Sequence, residues 1–238
     1  VRRAADWVAG RLQGAGPMDV EVIETAGHPA VLARWDGAEG APTVLVYGHM
    51  DVQPPDPLDA WASPPFELSE RDGRWYARGI SDDKASMLIP ILVTEAFFRH
   101  GAPPVNLRLL FEAEEEIGSP HLPGLVRARA EELACDVVLS ADGGMWRADL
   151  PSLTTSARGM CGLEVVVRGA AKDLHSGRHG GAVQNPLHAL ASLLAGLHDD
   201  AGRVAVAGFY DDVETPTPAR LAELDALPFD DADYLRET

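Results

Sequence analysis

His49 and Asp51 stand in Tyr47-Gly-His-Met-Asp51, directly after the apolar run Thr43-Val-Leu-Val-Tyr47. Three carboxylate clusters follow at comparable intervals, Ser81-Asp-Asp-Lys84, Glu112-Ala-Glu-Glu-Glu116 and Ser140-Ala-Asp-Gly-Gly144. A neutral imidazole ligates metal and carboxylates bind or bridge dications, so one imidazole with several convergent carboxylates points to a hydrolytic site holding two metal ions. Asp51 is placed to orient His49, or a neighbouring base, by a hydrogen bond. Asp82 and Asp83 fall at a helix start, where carboxylates also serve as caps; a carboxylate there can instead bridge two ions, which an imidazole cannot do. Glu112, Glu114, Glu115 and Glu116 put four acids into five positions, and their repulsion needs cations, raised pKa values or full solvation. The apolar strand Leu107–Phe111 before them favours a buried, metal-compensated cluster. Adjacent glutamates allow one to hold metal while the other takes a proton from the attacking water and returns it to the leaving amine. Asp142, between Ala141 and two glycines, completes the carboxylate set, although Asp-Gly-Gly is also an ordinary turn.

The elements that must position these residues alternate. A helix is expected over Ala4–Leu12, β-rich runs at Val20–Thr25 and Ala30–Trp35, and a buried strand at Val44–Tyr47. Five prolines between Val52 and Phe66 exclude helix or central strand there and imply a long ordered loop over the site. A hairpin follows at Glu67–Arg78, turning at Asp72-Gly73, then a helix from Ser81 or Asp82 to about His100. Asn106–Phe111 is a second buried strand, Pro120–Leu133 a helix and Asp136–Ser140 a third strand. Asp82, Glu116 and Asp142 are thus separated by about one strand-helix-strand unit of roughly 30 residues. In an open α/β sheet the carboxyl ends of neighbouring strands face one crevice, which brings His49, Glu116 and Asp142 together. Beyond Pro151 the character changes, with a strand expected at Leu163–Val167, a Gly-rich turn at Asp173-Leu-His-Ser-Gly177, a helix over Asn185–Leu197 and a strand near Arg203–Ala207. The domain boundary is placed near Gly159, dividing the chain into residues 1–158 and 159–238.

A composition of 46% hydrophobic and 24% charged residues is that of a folded globular chain. A net charge of -17 argues against nucleic-acid binding, which needs clustered Lys and Arg, and favours attraction of cations. Cys135 and Cys161 stand alone, without a CxxC pair, so reduced thiols and a cytoplasmic location are expected. No run approaches the roughly 20 apolar residues that span a bilayer, and no membrane association is expected. His28, His100, His121, His179, His188 and His198 read as surface or loop residues.

Taken together, YGHMDVQP, ARGISDDK, FEAEEEIGSP, SADGG and KDLHSGRHGG resemble the co-catalytic zinc exopeptidases, the family of carnosine and other cytosolic dipeptidases, aminoacylase, acetylornithine deacetylase and succinyl-diaminopimelate desuccinylase. DVQPP, DPLDAWASPPFEL, SDDK and GRVAVAGFYDDV are most similar to the dipeptidase branch. The resemblance implies an α/β catalytic domain, with a mostly parallel central sheet flanked by helices, and a smaller, incomplete α+β lid that dimerises. It implies His49 and Asp142 on one ion, Glu116 on the other, Asp82 bridging, Glu115 as general acid/base and Asp51 in support. The ions would be zinc, with manganese or cobalt also suited to oxygen-rich ligation. It further implies a cis Asp82–Asp83 peptide bond, and His175 as a donor to the oxyanion across a homodimer. The family's remaining ligand is a His near the end of a longer chain. Because this sequence stops at Thr238, the resemblance implies a fragment of the enzyme with impaired or no activity. The expected reaction is hydrolysis of an amide bond in a dipeptide or small N-acyl amino acid. An N-acyl-amino-acid deacylase or desuccinylase and a non-catalytic metal-binding or dimerisation module are the alternatives.

Overall fold

Ala5, Val8, Ala9 and Leu12 recur at the spacing of one helix face, and they are the buried residues of α1 (Arg2–Ala15). The computed structural model describes residues 1–145, 147 and 149–237. After α1 come β1 (Asp19–Ile23), β2 (Ala30–Trp35), β3 (Thr43–His49), the hairpin β4 (Ser69–Arg71) and β5 (Arg74–Tyr76), α2 (Ser86–His100), β6 (Asn106–Glu112), α3 (Leu122–Ala128) and β7 (Val137–Ser140). The expected helix over Pro120–Leu133 is therefore realised only in its middle.

The central sheet has the order β1-β2-β6-β3-β7. β3 pairs in parallel with β6 on one side and β7 on the other, while β2 runs antiparallel to both β1 and β6. β1, β6, β3 and β7 consequently point one way and only β2 opposes them. This is the mixed α/β architecture, with a mostly parallel sheet flanked by helices, that the sequence implies.

Alternate side chains of the sheet enter different cores, which is why these strands read as continuous apolar runs. Val31, Ala33, Val46, Leu109 and Phe111 pack with the buried faces of α1 and α2. Ala30, Leu32, Leu45 and Leu110 face the other way and pack with Leu125 of α3 and Leu133. Arg11 of α1 makes a two-pronged pair with Glu95 of α2, at 2.7 and 2.8 Å, which joins the two helices on their shared face.

The chain divides into two compact units, Val1–Ala157 and Arg158–Thr238. The second contains α4 (Ser176–His179), α5 (Pro186–Ala195), α6 (Pro218–Asp225) and α7 (Asp231–Glu237). Asn185 caps α5, its Oδ1 accepting the Leu187 N–H at 2.9 Å. The strands expected at Leu163–Val167 and Arg203–Ala207 do not form; the first has no ladder among the described residues, and the second reduces to a single bridge between Val204 and His198. An alternating pattern makes a strand only where a neighbouring strand takes up its backbone groups.

Candidate metal centre

His49 is the last residue of β3, directly opposite Glu112 of β6, while Tyr47 lies opposite Ser140 of β7. Three parallel strands therefore end side by side, and the loops leaving them carry Asp51, the Glu114–Glu116 turn and Asp142. The His49 ring is fully buried. Its Nε2 lies 3.1 Å from Asp82 Oδ1, 3.9 Å from Glu115 Oε2 and 3.9 Å from Asp142 Oδ2. Ligand atoms of His49, Asp82 and Glu116 lie within 4.8 Å of one another, as do those of His49, Glu115 and Asp142. His49 Nδ1 is 3.3 Å from Asp51 Oδ1, in ionic contact but without hydrogen-bond geometry. The six residues of the first unit to which the resemblance assigns roles, His49, Asp51, Asp82, Glu115, Glu116 and Asp142, lie together. His175 belongs to the second unit, where its Nδ1 accepts the Gly177 N–H at 3.0 Å and caps α4.

Asp82 and Asp83 do not cap a helix. The chain enters α2 through a π-type turn, Ile80–Ala85, that has no side-chain cap and in which Asp82 is extended. The Asp82–Asp83 peptide bond is cis, as the resemblance implies. Asp83 is buried, and its Oδ2 accepts the His49 backbone N–H at 3.0 Å. That approach depends on Gly48, since a Cβ there would stand 2.9 Å from Asp83 Oδ2. Gly79, at φ +78°, makes the left-handed step into the turn that a side chain would resist. Lys84 Nζ donates to the Met50 carbonyl at 2.7 Å, tying this turn to the strand end beside His49. Ser86, the first residue of α2, donates to the Gly143 carbonyl at 3.3 Å and so fastens the loop that carries Asp142.

The acidic turn after β6 corrects one expectation. Glu112 and Glu114 are buried, but protein donors satisfy them rather than cations. Glu112 Oε1 accepts from the Tyr47 hydroxyl at 2.6 Å and the Ser119 hydroxyl at 2.8 Å. Glu114 Oε1 accepts the His28 N–H at 3.0 Å, and Glu114 Oε2 lies 2.7 Å from His121 Nδ1. His121, expected as a loop residue, is thus an anchor of the turn. Asp51 takes the Glu115 and Glu116 N–H groups at 3.3 and 3.0 Å. Gln53, which lies within the YGHMDVQP motif but to which the resemblance assigns no role, donates its backbone N–H to Glu116 Oε1 at 3.1 Å and its amide to Glu116 Oε2 at 2.8 Å. With four acids in the turn, two are locked inward and Glu115 and Glu116 are left facing the crevice.

Electrostatics agree with a site built for cations. Burial lowers the His49 pKa, but Asp51, Asp83 and Asp142, with the contact to Asp82, outweigh it and hold the imidazole above its ordinary value. Burial raises the Asp83 carboxyl, and Asp142 and Asp82 raise it further against the opposing His49 contacts. Glu115 is raised chiefly by burial, with Asp142, Glu116 and Asp51 adding to it and His49 opposing. Burial lowers Lys84. Asp83 Oδ1 is buried without a hydrogen-bond partner. One imidazole nitrogen and carboxylate oxygens from Asp82, Glu115, Glu116 and Asp142, crowded to within a few ångströms, form a donor set that fits divalent ions.

Known proteins resemble this chain in sequence and in fold. The chain is 36% identical over 205 residues to the Cys-Gly metallodipeptidase dug1 of Schizosaccharomyces pombe, a match covering 84% of this chain and 43% of that protein. It is 34% identical over 209 residues to the Beta-Ala-His dipeptidase of Homo sapiens, covering 87% and 41% respectively. The chain thus spans less than half the length of these relatives. Among solved structures, the M20 family metallo-carboxypeptidase Sso-CP2 from Sulfolobus solfataricus superposes with a TM-score of 0.78 at 28% identity, over 100% of this chain and 54% of that one. Dug1p from Saccharomyces cerevisiae superposes with a TM-score of 0.71 at 28% identity, over 98% and 52%. Residues 45–217, which run from the strand delivering His49 past the Asp173–Gly177 segment, match Peptidase family M20/M25/M40, and the chain belongs to that family.

Proposed function

We propose that the protein acts in metal-dependent hydrolysis of the amide bond of dipeptides, with Cys-Gly and β-Ala-His the first substrates to test, since these are named in the relatives. The observation that carries this reading is the convergence of His49, Asp82, Glu115, Glu116 and Asp142 at the carboxyl edge of three parallel strands. In this reading His49 and Asp142 would hold one ion and Glu116 the other, with the Asp82 carboxylate shared between them. Zinc is the proposed metal; the donor set also suits manganese and cobalt. Two bound dications would supply Lewis-acid polarisation of the scissile carbonyl and acidify the attacking water.

The remaining steps belong to side chains. Glu115 takes a proton from the attacking water and returns it to the departing amine nitrogen. Its raised pKa, set mainly by burial, suits a group that must both accept and release that proton. Asp51 fixes Glu115 and Glu116 through their backbone N–H groups and stands beside the His49 ring, which keeps base and ligands in register. His175 is proposed to donate to the carbonyl oxygen as it gains charge, supplied across a homodimer formed through residues 159–238. A cytoplasmic location suits Cys135 and Cys161, which are free and exposed.

A panel of dipeptides and N-acyl amino acids, assayed with zinc or manganese, tests the substrate class. Faster hydrolysis of the dipeptides is expected; preference for the acyl amino acids would move the assignment to a deacylase. Metal uptake without cleavage of either would leave a binding module.

A further inference from the structure

Gln53 stands outside the ionisable set and touches only one member of it. Its backbone N–H donates to Glu116 Oε1 at 3.1 Å, and its side-chain amide donates to Glu116 Oε2 at 2.8 Å and to the Glu116 carbonyl at 3.0 Å. Each carboxylate oxygen carries two lone pairs, so these contacts take up one on each oxygen and leave one on each for an ion. With the Asp51 carboxylate accepting the Glu116 N–H at 3.0 Å, backbone and side chain of Glu116 are fixed from the same loop. Asp142 receives no comparable donor on its carboxylate among the described residues. His49 is oriented separately, through Asp83 on its backbone and Asp51 beside its ring.

Resting on the two-ion reading above, we infer that Gln53 is the positioning residue for the Glu116-held ion, and that it sets the affinity of that ion alone. The amide turns the Glu116 carboxylate toward Asp82 and His49, with which it shares a 4.8 Å cluster. Without it, the half-buried Glu116 side chain must be ordered by the ion itself, and ligand-orienting partners of this kind are worth about 10–100-fold in metal affinity. Because Gln53 is exposed and outside both apolar cores, the fold does not depend on it.

The test is zinc titration of the metal-free full chain by calorimetry, for wild type, Gln53→Ala and Gln53→Met, with thermal unfolding of each metal-free protein. Wild type is expected to bind two zinc ions. Both variants should weaken one binding step by about 10–100-fold and leave the other unchanged. Their metal-free unfolding temperatures should equal wild type. Met keeps the length but donates nothing, so a normal second step in Gln53→Met would overturn the role of the amide. Equal weakening of both steps, or a lowered metal-free unfolding temperature, would make Gln53 a structural residue and overturn the inference. Two wild-type steps with neither changed in the variants would overturn it while leaving the two-ion reading intact. Failure of wild type to bind two ions would overturn both.

Discussion

Glu115 and Glu116 are neighbours in sequence, yet their surroundings suit them to different work. Glu116 is held by Gln53 and Asp51, whereas the Glu115 carboxyl is raised chiefly by burial and lies 3.9 Å from His49 Nε2. Replacing Glu115 by Gln should cut dipeptide turnover by about 100- to 10,000-fold. Bound metal, measured by mass spectrometry, should remain near wild type; loss of metal in parallel with rate would make Glu115 a ligand. His49 gives the pH dependence. Its folded pKa lies above the ordinary 6.5, so in the metal-free protein its stabilising contribution is fully present below that value and is lost as pH rises through the folded pKa. A cation must displace the same proton. Zinc binding should therefore release more protons at about pH 6.5 than at about pH 8.5, read by calorimetry in two buffers of different ionisation heat. The types of these residues were legible from the chain, but their partners were not. Gln53 and Glu116 are 63 residues apart, and Glu114 and His28 are 86 apart. No periodicity encodes such contacts, which is why His121 read as a loop residue and why Gln53, though inside the YGHMDVQP motif, carried no assigned role.

At the level of elements, strand ends did the work that motif spacing could not. The apolar runs before His49, Glu112 and Ser140 marked three strands, of which β3 and β6 are largely buried and β7 is exposed, and their parallel pairing brings the residues that follow them together. The acids of the turn leading into α2 left capping and metal bridging both open; no side-chain cap forms there, and Asp83 goes inward to the His49 N–H. Gly48 makes room for it, so Gly48→Ala should push Asp83 away and lower zinc affinity by at least about 10-fold while the far-ultraviolet dichroism stays unchanged. Unchanged affinity would show that the Asp83 contact is dispensable. Leu12→Ala tests the layer beneath. Leu12 is fully buried against the sheet, and its truncation should cost about 2–5 kcal/mol in denaturant unfolding. The second unit was read less well. Its helix after Asn185 could be seen from the cap and apolar spacing, but strand assignments at 163–167 and 203–207 rested on alternation alone and lacked the neighbours a strand requires.

For the whole molecule, a formal charge of -17 and the acidic cluster around His49 both favour attraction of cations. An ion that binds only the folded state stabilises it by mass action, by about 2.7 kcal/mol at 100 times its dissociation constant. In the proposed reading, the shared carboxylate of Asp82 would make one two-ion centre out of the His49–Asp142 and Glu116 groups. The most direct measurement is a zinc-loaded crystal structure with anomalous scattering at the zinc edge. Two peaks about 3.5–4 Å apart are expected, with Asp82 touching both, His49 and Asp142 on one, Glu116 on the other and Glu115 bound to neither. A single peak, or two peaks that Asp82 does not join, would contradict it.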